Sequence, residues 1–212
     1  MARKRVAVLI SGRGSNMVAL IEAARDPSFP AEIVVVVSND PAAQGLERAA
    51  AANIPHDVVN HRQFGRDREA FERALQDVLI KFETEFICLA GFMRLLTPWF
   101  VRQWEGRILN IHPALLPAFK GLDTHARALA AGATTHGATV HYVVPAMDAG
   151  PIIMQGAVPV LPGDTEATLA ARVLDVEHRI YPQALRLVAE GRVTIENGKC
   201  LIDGNPAASH SS

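Results

Sequence analysis

Val6-Ala7-Val8-Leu9-Ile10-Ser11-Gly12-Arg13-Gly14-Ser15-Asn16 opens the chain with an apolar run that breaks at two glycines. The residues that follow, Asn16 to Arg25, place Val18, Leu20 and Ile21 at helical spacing. A β-rich run, a glycine turn and then an amphipathic helix form the first unit of an α/β fold.

The pattern repeats along the chain. Ile33 to Val37 is a β-branched run closed by Ser38-Asn39-Asp40-Pro41, with Pro41 suited to the first turn of a helix through Ala52. His56 to Val59 reads as a short strand and Arg66 to Lys81 as a long helix with Phe71, Leu75, Val78 and Leu79 on one side. Phe86 to Ala90 and Ile108 to Ile111 complete the set. Strands alternating with helices imply a parallel sheet, and unbroken runs such as Ile-Val-Val-Val-Val suit strands covered on both faces.

After Pro113 the pattern changes. His112 to Thr124 is loop-like, and Ala138 to Val144 and Ile152 to Val160 read as strands joined through Met147-Asp148-Ala149-Gly150. Thr165 to Glu190 reads as one helix with a bend at Pro182, and a hairpin turns on Asn197-Gly198. The expected fold is α/β: a mostly parallel twisted sheet with helices on both faces, a Rossmann-like first half and antiparallel additions in the second. Residues 1–204 form a single domain with halves 1–113 and 114–204, and 205–212 form a polar, flexible tail.

Composition fits that reading. The 212 residues are 49% hydrophobic and carry 21 Lys and Arg against 22 Asp and Glu. Nothing in this balance advertises a nucleic acid or a membrane surface. Two cysteines, Cys88 and Cys200, make no disulfide framework, which suits a reducing, cytoplasmic setting. The apolar run at Val6 to Ile10 is too short for a signal peptide.

Chemistry concentrates at two places. Gly12 to Asn16 joins a strand to a helix, where glycines let an anion approach the backbone and helix N–H groups donate to it. Gly14, Ser15 and Asn16 are therefore candidate phosphate ligands, with Ser15 or Asn16 also able to cap the helix. Met17 stands where a dinucleotide fingerprint needs a third glycine, and no Gly-Lys-Ser/Thr follows, so this is neither a dinucleotide motif nor a P-loop. A plain strand–helix turn is compatible with the same residues.

The second place is Asn110-Ile111-His112-Pro113, at the C-terminal end of a parallel strand, where open α/β sheets bind ligands. Alternation puts Asn110 and His112 on one face. Asp148 lies in a turn flanked by Gly150 and Pro151. A carboxylate beside an imidazole favours its charged form and fixes its orientation. Asn, His and Asp together suit acyl transfer, with the amide and the imidazolium donating to a developing oxyanion. A structural histidine and a turn-forming aspartate remain the plain alternative. The eight histidines show no His-Glu-x-x-His spacing, and Ser11 lacks a nucleophile elbow, so neither a metal site nor a serine hydrolase is expected.

Four ordered motifs give this chain a resemblance to a known family. Ser-Gly-x-Gly-Ser-Asn at 11–16, Leu-Ala-Gly-Phe-Met-Arg at 89–94, Asn-Ile-His-Pro-Ala-Leu-Leu-Pro at 110–117 and Gly-Ala-Thr-Val-His-Tyr-Val with Asp148-x-Gly150 resemble the folate-dependent formyltransferases. The resemblance runs from about Arg5 to Gly204 and implies the formyltransferase fold. It implies transfer of formyl from 10-formyltetrahydrofolate to an amine, with Asn110, His112 and Asp148 as the catalytic triad. The Gly-Ser-Asn loop points to the branch whose acceptor is glycinamide ribonucleotide, in purine synthesis. On that basis Gly14, Ser15, Asn16 and Glu177 would hold the ribonucleotide. Arg68, Met93, Arg94, Leu95, Leu96, Asn110, Val144, Pro145, Ala146, Met147 and Asp148 would surround the folate. The implied partners are small molecules, with the protein a monomer or homodimer.

The chain departs from the family at Ala114, Lys120, Pro145-Ala146 and Ala149. The Pro145-Ala146 pair bears on folate affinity, because acidic residues are common there. A methionyl-tRNA formyltransferase would be expected to carry an extra C-terminal domain and a formyl-folate hydrolase an extra N-terminal one, whereas a sugar-amine formyltransferase would share the triad without needing the phosphate loop in this form. A non-catalytic module using Gly12 to Asn16 alone would bind ribonucleotide without formyl transfer.

Overall fold

The computed structural model describes Ala2 to Ala207, and the last part of the expected tail lies outside the described residues. The chain divides into two compact units, Met1–Asn110 and Ile111–Ser212.

The first unit is built on β1 (Lys4–Ile10), α1 (Ser15–Ala24), β2 (Ala31–Ser38), α2 (Gln44–Ala51), β3 (His56–Val58), a 3-10 turn (His61–Phe64), α3 (Arg68–Lys81), β4 (Phe86–Leu89), α4 (Pro98–Gln103) and the start of β5 (Ile108–His112). Its strands lie in the order β3-β2-β1-β4-β5, every pair parallel. Val6 to Ile10 are buried at consecutive positions, as expected of strands covered on both faces. The C-terminal strand ends, where Ser11, Asn39, Ala90 and Asn110 sit, therefore share one edge.

Two local expectations are corrected. Pro41 does not start α2; Asp40 Oδ1 accepts from Ala42 N at 2.9 Å, closing an Asx turn that delays the helix to Gln44. The helix α4 was absent from the sequence reading. It is short, with Thr97 as its N-cap and Pro98 in its first turn.

The second unit begins at Ile111 and contains α5 (Thr124–Ala130), β6 (Thr135–Tyr142), β7 (Ile152–Pro159), α6 (Glu166–Ala189), β8 (Val193–Glu196), β9 (Lys199–Ile202) and β10 (Asn205–Pro206). β6 and β7 are antiparallel, and α6 packs on both. A capping box at Thr165 and Thr168 starts α6, which runs unbroken through Pro182. β8 and β9 form the expected hairpin, with Asn197 and Gly198 both at positive φ. Asn205–Pro206, assigned to the tail from sequence, pairs instead with Leu201 and Ile202.

Candidate active site

In the first unit the glycine loop meets α1 at Gly14, whose φ of 69° places it in the left-handed region. Gly14 itself is the N-cap, and no side chain caps the helix, which corrects the expectation for Ser15 and Asn16. Asn16 is buried, and Met17, where a dinucleotide motif would need glycine, is sealed in the core. The loop leans on α2: Gly45 N donates to Gly12 O at 2.9 Å. A Cβ on Gly45 would lie 2.4 Å from Ile10 Cδ1 and 3.1 Å from Gly12 O, so this approach requires glycine.

The loop after β4 is fastened on both sides. Ser11 Oγ accepts from Met93 N at 2.8 Å and donates to Asn39 Oδ1 at 2.5 Å. At its far end Thr97 N donates to Glu72 Oε1 at 2.6 Å, and the Thr97 hydroxyl donates to Glu72 Oε2. Glu72 is buried, and burial raises its pKa against the lowering effect of both Thr97 bonds. Arg68, the first residue of α3, donates to the Leu95 carbonyl. Arg94 lies over the Phe71 ring, 5.1 Å from its centroid. Met93 and Leu95 are 67% and 61% exposed, a costly display of apolar surface for a loop with no ligand.

In the second unit His112 and Asp148 come together. His112 Nδ1 lies 3.6 Å from Asp148 Oδ2, and both side chains are nearly enclosed. His112 Nε2 lies 3.0 Å from the Phe119 carbonyl, which can only accept, so this nitrogen carries a hydrogen. Gly121 N donates to Asp148 Oδ2 at 2.9 Å. On the other side, His141 Nε2 lies 3.9 Å from Asp148 Oδ1, while His141 Nδ1 donates to Tyr142 O at 2.9 Å. Burial pushes the His141 pKa down, against the raising effects of that Tyr142 bond and of Asp148.

The acid is placed by its hairpin. Asp148 has a φ of 48°, and Tyr142 N donates to Pro151 O at 3.0 Å to close the turn. A Cβ on Gly150 would lie 1.7 Å from Tyr142 O, so nothing larger than glycine fits. Within that turn Pro145, Ala146 and Met147 are exposed, and Val144 is half-buried. The loop after His112 is held by Thr139, whose hydroxyl donates to Ala114 O at 2.7 Å and accepts from Leu116 N at 3.0 Å. Gln155 Nε2 donates to both Thr139 Oγ1 and Leu116 O at 2.9 Å.

Asn110 lies on β5 opposite Leu89, two positions before His112 on the same strand. Glu177 is a buried acid on α6. Among the described residues, no group of three His, Cys, Asp or Glu converges as metal ligands. Sequence reasoning passed over Gln155, Glu72 and Gly45, and gave Thr139 and His141 no role of their own although both lie in a quoted motif. The period-two pattern of β6 could have marked His141 as sharing a face with Thr139.

This fold is shared by a class of group-transfer enzymes. Residues 4–185 match the formyl transferase family, and the chain belongs to that family. Over 94% of its length the chain is 42% identical to the phosphoribosylglycinamide formyltransferase of Escherichia coli, 93% of which it covers. It is also 54% identical to the trifunctional purine biosynthetic protein adenosine-3 of Bos taurus over 93% of this chain, although it spans only 20% of that longer protein. The solved structure of phosphoribosylglycinamide formyltransferase from Coxiella burnetii superposes with a TM-score of 0.92 at 45% identity, covering 98% of this chain and 97% of the other.

Proposed function

We propose that this formyl transferase carries the formyl group of 10-formyltetrahydrofolate to the amine of 5-phosphoribosylglycinamide, a step of purine synthesis; relatives named phosphoribosylglycinamide formyltransferase support the reading. The paired His112 and Asp148 side chains carry the reading, 3.6 Å apart and nearly enclosed. The amine lone pair attacks the formyl carbon to form the new C–N bond. The bond from formyl carbon to N10 of the carrier then breaks, and the proton lost by the amine ends on N10. No electrons are exchanged with an outside reagent, so the step needs only proton transfer and oxyanion stabilisation.

The residue roles follow from their donors. The Asn110 amide and the His112 imidazolium donate to the oxyanion of the tetrahedral intermediate. Asp148 orients the ring and balances its charge. Gly14, Ser15 and Asn16 take the substrate phosphate, where an αL glycine leads into a helix start without a side-chain cap. Glu177 takes the cationic or hydroxyl groups of the ribonucleotide. Folate contacts are assigned to Arg68, Met93, Arg94, Leu95 and Leu96 in the first unit and to Val144, Pro145, Ala146, Met147 and Asp148 in the second. The exposed Met93 and Leu95 suit a flat heteroaromatic ring, and the Arg68 guanidinium suits a carboxylate tail. The working domain spans 1–204, with the phosphate loop in 1–113, whose end carries Asn110 and His112, and with Asp148 in 114–204. Among the described residues no helix is long and apolar enough to cross a membrane, and the cytoplasm suits both substrates.

The test is formyl transfer by the purified chain with both substrates, beside His112→Ala. Transfer that drops by about 10²- to 10⁴-fold in the variant supports the reading. Activity equal to wild type in His112→Ala, or binding of the ribonucleotide with no transfer by wild type, refutes it.

A further inference from the structure

Arg127 on α5 has no role in the chemistry assigned above, yet its side chain reaches back over the loop that serves both paired groups. Its Nη1 donates to Lys120 O at 2.6 Å and to Leu122 O at 3.3 Å, and its guanidinium carbon lies 5.8 Å from the centre of the Phe119 ring. The residues it touches bracket two working atoms. The Phe119 carbonyl accepts from His112 Nε2, and the Gly121 N–H donates to Asp148 Oδ2.

This loop does not keep its shape by local preference. Phe119, Gly121 and Asp123 have φ values of 51°, 82° and 55°, and two of these residues pay for a left-handed backbone that only glycine adopts freely. Thr124 Oγ1 donating to Pro113 O and the Thr139 bonds to Ala114 and Leu116 fix the first half of the loop. The second half, which contains Gly121, is gathered by Arg127. A planar, permanently charged fork with several donors suits this task, since it can hold two carbonyls and a ring face together.

We propose that Arg127 is a positioning residue for formyl transfer, acting through residues 119–122 on His112 and Asp148. The inference rests on the reading in which these two side chains carry the chemistry. Arg127 touches neither of them, so its removal leaves the reacting groups present and misplaced.

The test uses the full chain with Arg127→Gln and Arg127→Lys, read by steady-state kinetics, thermal melting and amide hydrogen exchange. In Arg127→Gln, kcat falls about tenfold while both KM values stay within about twofold. The Gly121 amide exchanges about tenfold faster, with exchange in β6 and α6 and the melting temperature unchanged, because Arg127 is exposed. Arg127→Lys, which keeps one charged donor, recovers part of both effects. Unchanged Gly121 exchange in Arg127→Gln overturns the proposal whatever the turnover. A general rise in exchange with a lower melting temperature also overturns it, because it marks a merely structural role. An inactive wild type defeats the formyl transfer reading alone, and the Gly121 exchange still decides whether Arg127 holds the loop.

Discussion

His112 Nδ1 stands 3.6 Å from Asp148 Oδ2, inside ion-pair range and beyond a hydrogen bond. The other ring nitrogen already donates to the Phe119 carbonyl. The bond to Phe119 leaves Nδ1 as the ring nitrogen turned toward the carboxylate. The carboxylate is itself held by Gly121 N and flanked by His141. Both groups are thus oriented by main-chain atoms before any substrate arrives, the arrangement that general acid–base catalysis rewards.

Asp148→Asn keeps an acceptor for Gly121 N and removes the charge. Turnover should fall by about 10²-fold or more with KM values changed only a few-fold, as for a group that acts in the transition state. Steady-state kinetics with both substrates measure this. A variant that loses substrate affinity while keeping kcat would contradict the role.

Much of this site was legible locally. Alternation puts Asn110 and His112 on one face of a strand end, and Asp148 stands in a glycine-flanked turn, but nothing in the spacing says that this turn meets His112. The strands β1 and β2 were legible because long β-branched runs leave few other choices. What escaped are partners distant in the chain. Nothing near Glu72 says that it receives Thr97, and nothing near Thr139 says that it receives Leu116, because such pairs exist only once the fold closes. Pro41 misled for the opposite reason: a local Asx turn at Asp40 overrode its helix-starting preference.

Glu72→Ala should loosen the loop after β4. It leaves the Thr97 N–H and hydroxyl without their acceptor, at a cost of about 1–3 kcal/mol. Denaturant melts should show that loss, and the KM for the formyl-folate should rise several-fold while the ribonucleotide KM holds. Equal effects on the two substrates would argue against a local anchor.

Gly45→Ala should disturb the anion loop from outside it. The added methyl displaces Ile10 Cδ1 and presses on Gly12 O, and overpacking of this kind costs about 1–3 kcal/mol. The ribonucleotide KM should rise about tenfold with a smaller change in kcat. An unchanged KM would show that the loop absorbs the methyl without moving.

His136 should give stability an acid-side slope. It is 1% exposed and packs edge-on against His125 and Phe119. Burial, then the charges of His125 and His112, pull its pKa down to about 4. Unfolded, the ring titrates near about 6.5, so between about 6.5 and about 4 the unfolded chain binds a proton that the folded chain refuses. This contribution is therefore intact above about 6.5 and is lost as the pH falls through the window. Urea melts of His136→Phe across that range should show a slope shallower by about one proton. A slope identical to wild type would count against the assignment.

The contact between Gly150 and Tyr142 O has a consequence for inhibitor design. The hairpin places Asp148 through its backbone closure, while the side chains of Pro145 and Ala146 are exposed. Those two positions can change without shifting the acid. A compound that hydrogen-bonds the peptide groups of the turn should keep its potency across relatives that differ there, whereas one that grips the exposed side chains should discriminate between them.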